Sequence, residues 1–76
     1  MPVIHVATWP LKDDDCVRAM VEGITRVVHD VSGAPLNKIS VYVTEVAPSR
    51  WGDAGVLGCD PQFRERSRRT SYEEAP

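Results

Sequence analysis

A stripe of apolar residues recurs at steps of three and four between two β-branched stretches, and this pattern limits the chain to very few folds. The stripe is Val17, Met20, Val21, Ile24, Val28 and Val31, with Arg18, Glu22, Thr25 and Arg26 largely on the other side. It predicts an amphipathic helix from about Asp13 to about Ser32. Asp13-Asp14-Asp15 supplies a cap and favourable charge at the positive end of the helix dipole, which accounts for the triplet without a metal. Gly33 and Pro35 supply the stop, the glycine being suited to the left-handed position after the last turn. Before the helix, Val3-Ile4-His5-Val6-Ala7-Thr8-Trp9 is rich in β-branched and aromatic residues and reads as a strand that Pro10 ends. After it, the segment from Ile39 to Val46 alternates cleanly, with Ile39, Val41 and Val43 expected to face the helix and Ser40, Tyr42 and Thr44 the other way. Strand, long helix, strand predicts a βαβ unit with parallel strands and a right-handed crossover.

That unit has a problem of coverage. One helix protects one face of the sheet, and the face carrying Tyr42 stays bare unless another copy covers it. At 76 residues the chain is one small domain, and a domain of this size is marginal without disulfides, a metal or association. Only Cys16 and Cys59 are present, with no metal-ligand spacing. Oligomerisation is therefore the expected remedy. The 42% hydrophobic content is too high for a disordered chain, and a net charge of −2 gives no general attraction to nucleic acid. No apolar run approaches the length of a membrane span, and no basic-then-apolar leader is seen, so the expectation is a soluble cytoplasmic protein with reduced thiols.

Beyond the second strand, Pro48-Ser49-Arg50-Trp51-Gly52-Asp53-Ala54-Gly55 is a turn-rich segment holding one large aromatic, and Val56-Leu57 begins a short hairpin strand. From Gly58 periodicity fades. Arg64 to Arg69 is basic and Thr70 to Pro76 polar and acidic, which together read as a solvated tail over 58–76 following a core over 2–57. The overall expectation is an α+β class protein: a single βαβ unit with a C-terminal hairpin and tail, assembled into an oligomer.

The amino terminus offers chemistry. Proline at position 2 permits removal of Met1, after which Pro2 begins the chain with a secondary amine. A chain-terminal amine titrates near ~7.7–8.0, and enclosure in an apolar pocket lowers that value. Such a group can serve as a neutral base at physiological pH, and a terminal residue held in a sheet has the fixed position that catalysis needs.

Pro2 opening a strand, Lys12 at the strand-to-helix turn, Pro35-Leu36 before the second strand, then Thr44-Glu45 and Arg50-Trp51-Gly52, resemble the 4-oxalocrotonate tautomerases over roughly residues 2–57. The resemblance implies a hexamer, or trimer of dimers, acting without metal or organic cofactor on small carboxylate substrates, including those of aromatic degradation. It also implies that the Pro2 nitrogen moves a proton within a 2-oxo or 2-hydroxydienoate acid. The family's turn arginine falls on Lys12, which keeps the charge and loses the two-pronged geometry. Its second arginine falls on Ser40, which can donate one hydrogen bond but supplies no charge to a developing enolate oxygen. The family's pocket aromatic falls on Trp51, and Arg50 beside it is a candidate for the missing cation. The departure at Ser40 leaves two alternatives open: hydration or dehalogenation of an unsaturated acid, or a non-catalytic subunit of a hetero-oligomer. His5 is expected to be a packed or edge histidine, Cys16 a packing residue, and Glu45 structural unless it activates water in a dehalogenase-like relative. Tyr42 could face either a pocket or an interface.

Overall fold

The structure, a computed structural model, describes residues 1–73. The last three residues of the expected tail lie outside that range. The chain divides into two compact units, the first ending at Glu45 and the second starting at Val46.

The first unit is the expected βαβ. Strand β1 (Val3–Thr8) leads through a turn to helix α1 (Asp14–Ser32), and a single 3₁₀ turn over Leu36–Lys38 leads into β2 (Ser40–Glu45). The two strands are parallel, with Val3 opposite Ser40, His5 opposite Tyr42 and Thr8 opposite Glu45. Helix α1 starts where the acidic triplet places it. Asp13 is extended, and its carboxylate accepts the Cys16 N–H at 2.8 Å, satisfying one of the free amides of the first turn. It stops at Gly33, whose φ of 76° is the left-handed geometry that favours glycine and whose N–H donates to the His29 carbonyl. The His29 ring adds a bond from Nδ1 to the Ala34 carbonyl at 2.7 Å, fixing the exit of the chain.

From Ile39 through the second strand the alternation is as expected, with Ile39, Val41 and Val43 half-buried and Ser40, Tyr42 and Thr44 exposed; β1 alternates likewise, Ile4 and Val6 half-buried and His5 and Ala7 exposed. Two positions on α1 differ from expectation. Val31 is 84% exposed. A helix of this length spans ~28 Å against ~20 Å for a six-residue strand, and Val31 lies in the last turn of α1. Thr25 is half-buried and not on the solvent side, because its hydroxyl donates to the Val21 carbonyl at 2.8 Å and no longer needs water.

No residue of α1 is fully buried, and β1 and β2 contain none either. Among the described residues only Val56, in the second unit, is buried, at 3% exposure. A βαβ unit with no buried side chain has apolar surface on both faces of its sheet still in contact with water, and that surface favours association.

The second unit begins with a 3₁₀ turn over Pro48–Arg50, followed by the hairpin strands β3 (Gly52–Asp53) and β4 (Val56–Leu57) and the short helix α2 (Phe63–Arg66). The hairpin turn is Ala54-Gly55, with φ of 54° and 77°, as a type I′ turn requires. The segment after Gly58 is not a plain solvated tail. Arg66 pairs with Asp60 at 2.7 Å, and Arg69 Nε donates to the Ala54 carbonyl at 3.0 Å. These bonds leave no trace in sequence periodicity. A Cβ on Gly55 would lie 2.9 Å from the Tyr72 hydroxyl at a φ few side chains adopt. Gly55→Ala is therefore expected to destabilise the protein by about 1–3 kcal/mol, read as a lower urea midpoint at unchanged m-value.

Candidate active site

Pro2 lies just ahead of β1 and is half-buried. Its carbonyl accepts the Ser40 N–H at 3.0 Å, which is the first rung joining the two strands. Proline has no N–H of its own to lose, and Met1 before it is 82% exposed. Excision of Met1 thus costs no sheet hydrogen bond, and it leaves the Pro2 nitrogen at a position fixed through its carbonyl. Ser40, held to Pro2 by that bond and set opposite Val3, is exposed on the sheet face away from α1. Of the candidate residues in the first unit, these two are brought together.

Lys12 is not. It follows the far end of β1, in the turn into α1, and is exposed with no side-chain partner among the described residues. Its turn is tied to the end of β2 by the Leu11 N–H, which donates to Glu45 Oε2 at 2.6 Å. The length of β1 puts Lys12 and Pro2 of one chain ~20 Å apart, beyond the reach of any lysine side chain. Glu45 thereby has a structural task, fixing the turn that presents Lys12.

On the exposed face between these ends, the His5 and Tyr42 rings stack at 4.5 Å with an interplanar angle of 8°, and His5 Nε2 pairs with the Thr44 hydroxyl at 2.9 Å. His5 is thus an edge histidine engaged with its neighbours. Sequence reasoning missed this trio as a set, although the parallel register with its period of two places all three on one face. An open groove along α1, lined in part by Val21, Thr25, His29 and Leu36, contains none of Pro2, Lys12 or Ser40. Its charged lining, Glu22, Arg26 and Asp30 beside His29, lies on α1 alone.

In the second unit, Trp51 is half-buried and its backbone is held on both sides: its N–H donates to the Pro48 carbonyl at 3.2 Å, and its carbonyl accepts the Gly58 N–H at 2.8 Å. Arg50 closes the 3₁₀ turn and is exposed, its guanidinium unpaired among the described residues. Cys16 and Cys59 are free thiols. Among the described residues no three His, Cys, Asp or Glu side chains converge as they would around a metal ion, and no helix is long and apolar enough to cross a membrane.

Comparison with known proteins gives a consistent result. The family model described as Tautomerase enzyme matches residues 2–58. A protein named probable tautomerase from Staphylococcus aureus is 30% identical over 60 residues, 79% of this chain and 98% of that protein. The 2-hydroxymuconate tautomerase of Comamonas testosteroni is 29% identical over 56 residues, 74% of this chain and 89% of that protein. Among solved structures, TomN, a 4-oxalocrotonate tautomerase homologue of the tomaymycin biosynthetic pathway, superposes with a TM-score of 0.75 at 28% identity, covering 83% of this chain and 94% of that one.

Proposed function

Because this chain belongs to the tautomerase enzyme family, we propose that it is a cofactor-independent tautomerase whose general base is the freed nitrogen of Pro2. The substrate class is small unsaturated 2-oxo or 2-hydroxy acids. The observation that carries this reading is Pro2 itself: a half-buried residue heading β1, pinned by its carbonyl to Ser40, with one exposed methionine before it. In the proposed reaction the neutral nitrogen takes a proton next to the carbonyl, giving a conjugated enolate. The resulting ammonium returns the proton at the distant carbon. No electrons are exchanged and no atom is lost, so the residues need only position the acid and moderate charge.

Four residues have proposed supporting roles. Lys12 supplies a point charge for a carboxylate, and Ser40 one hydrogen bond to the enolate oxygen. Arg50 is the candidate second cation, and the Trp51 indole the apolar wall that keeps the amine neutral and excludes water. Lys12 and Pro2 lie at opposite ends of β1, so a site using both draws them from different chains. We therefore propose a cytoplasmic homo-oligomer, a hexamer built as a trimer of dimers, in which further copies cover the sheet face bearing His5 and Tyr42. A hetero-oligomer is the alternative. The native mass and chain composition of the assembly from its own host decide between them, and a stable monomer would refute both.

The cheapest experiment is the intact mass of the purified chain. If Met1 is retained in the mature protein, the Pro2 nitrogen is an amide and the mechanism fails. Ser40 favours a second reading: with no arginine to stabilise an enolate, the same proline could serve as an acid in hydration or dehalogenation of unsaturated acids. Halide release from a panel of haloacrylates supports that reading, and its absence throughout the panel removes it.

A further inference from the structure

The matched family stretch ends at residue 58, and the residues after it return to the hairpin that holds Trp51. We propose that Arg69 and Tyr72 are positioning residues, which clasp a strained hairpin turn and so fix the Trp51 segment. Its functional half rests on the role proposed above for Trp51.

The strain is visible at Ala54, the one non-glycine residue with positive φ among those described, at 54°. A Cβ disfavours this region, so such a residue persists when its surroundings over-determine it. The surroundings here are the clasp. Arg69 Nε donates to the carbonyl of Ala54, the strained residue itself, at 3.0 Å. The guanidinium lies 4.5 Å from the centroid of the Tyr72 ring, where the cation is attracted to the aromatic face. The Tyr72 hydroxyl and ring edge sit 2.9 Å and 3.5 Å from where a Gly55 Cβ would be, directly over the turn.

The base of the clasp is anchored as well. Asp60 spends one carboxylate oxygen on Arg66 Nη1 at 2.7 Å and the other on the Gln62 N–H at 2.7 Å. The Arg69 N–H donates to the Arg66 carbonyl at 3.3 Å. Gly58, next to this anchor, donates to the Trp51 carbonyl. The bonds therefore form a closed circuit, from Trp51 to Gly58, through the Asp60–Arg66 pair to Arg69, and back to the turn at Ala54.

The test uses the full chain carrying Arg69→Gln, Ala54→Gly, or both, with amide hydrogen exchange at Gly58 as the first measurement. Arg69→Gln is expected to speed Gly58 exchange about fivefold, the effect of one net hydrogen bond. Adding Ala54→Gly removes the strain the clasp resists, and is expected to bring exchange back to within about twofold of wild type. The second measurement is steady-state turnover of phenylenolpyruvate. Arg69→Gln is expected to raise KM about fivefold and to move the ascending limb of kcat/KM to higher pH, because a displaced wall weakens binding and leaves the amine more solvated. Unchanged Gly58 exchange overturns the clasp, and faster exchange with unchanged KM overturns its positioning role. If turnover proves independent of Pro2, the tautomerase reading fails, while the exchange measurements still judge the clasp.

Discussion

Pro2→Ala is expected to lower kcat/KM for a simple enol such as phenylenolpyruvate by about 10²-fold or more, within the range that a positioned acid–base group contributes. Alanine keeps a terminal amine, so the loss comes from position and basicity. Proline's ring fixes φ and leaves the nitrogen one orientation, whereas a primary amine on alanine rotates and is solvated. The fold should be indifferent to the change. The bond between the strands at this point uses the Pro2 carbonyl and the Ser40 N–H, and alanine retains that carbonyl. Far-UV circular dichroism and the assembled mass should therefore match wild type, so that lost turnover reports chemistry. The wild-type rate should also rise with pH as the amine loses its proton, with the ascending limb of kcat/KM below the ~7.7–8.0 of an unperturbed terminal amine. Wild-type activity in the alanine variant, with Met1 confirmed absent from both, would leave Pro2 without a catalytic role.

The second large effect is expected at Ser40, and its sign is a gain. Ser40→Arg should raise kcat/KM for 2-hydroxymuconate by about 10²-fold, the reverse of the loss when one donor to a developing oxyanion is removed. Within one chain the change meets no packed neighbour: Ser40 is exposed, its side chain lies on the sheet face away from α1, and its backbone is what binds it to Pro2; the assembled mass reports whether the covered face accepts it. An arginine there adds both charge and a planar fork for a carboxylate. Steady-state kinetics on purified protein of unchanged assembled mass checks it. No gain with either 2-hydroxymuconate or phenylenolpyruvate would place Ser40 outside the reacting centre.

How much of this was legible from the chain alone depended on whether the physics is local. The cap at Asp13, the stop at Gly33 and the alternation in β2 are local and periodic, and the structure repeats them within a residue. Val31 departed because its exposure depends on its place in the last turn of α1, which the helix period does not encode. The Arg66–Asp60 and Arg69–Ala54 bonds were hidden for the same reason, since six and fifteen residues separate the partners and neither pair repeats. At the candidate site, the pairing of Pro2 with Ser40 follows from parallel register once both strands are recognised. Lys12 was readable as a turn cation, but its distance from Pro2 appeared only when β1 was seen to keep its full length, with Glu45 tying the turn to the far end of β2.

The separation of Pro2 from Lys12 along β1 has a genetic consequence. If the proposed site draws on both, two chains, one altered at Pro2 and the other at Lys12, would each be impaired alone. Mixed after dissociation and allowed to reassemble, they should regain part of the lost turnover, because some composite centres would inherit the sound half of each parent. Under the composite site proposed above, working units are counted by encounters among polypeptides, and no single polypeptide owns one.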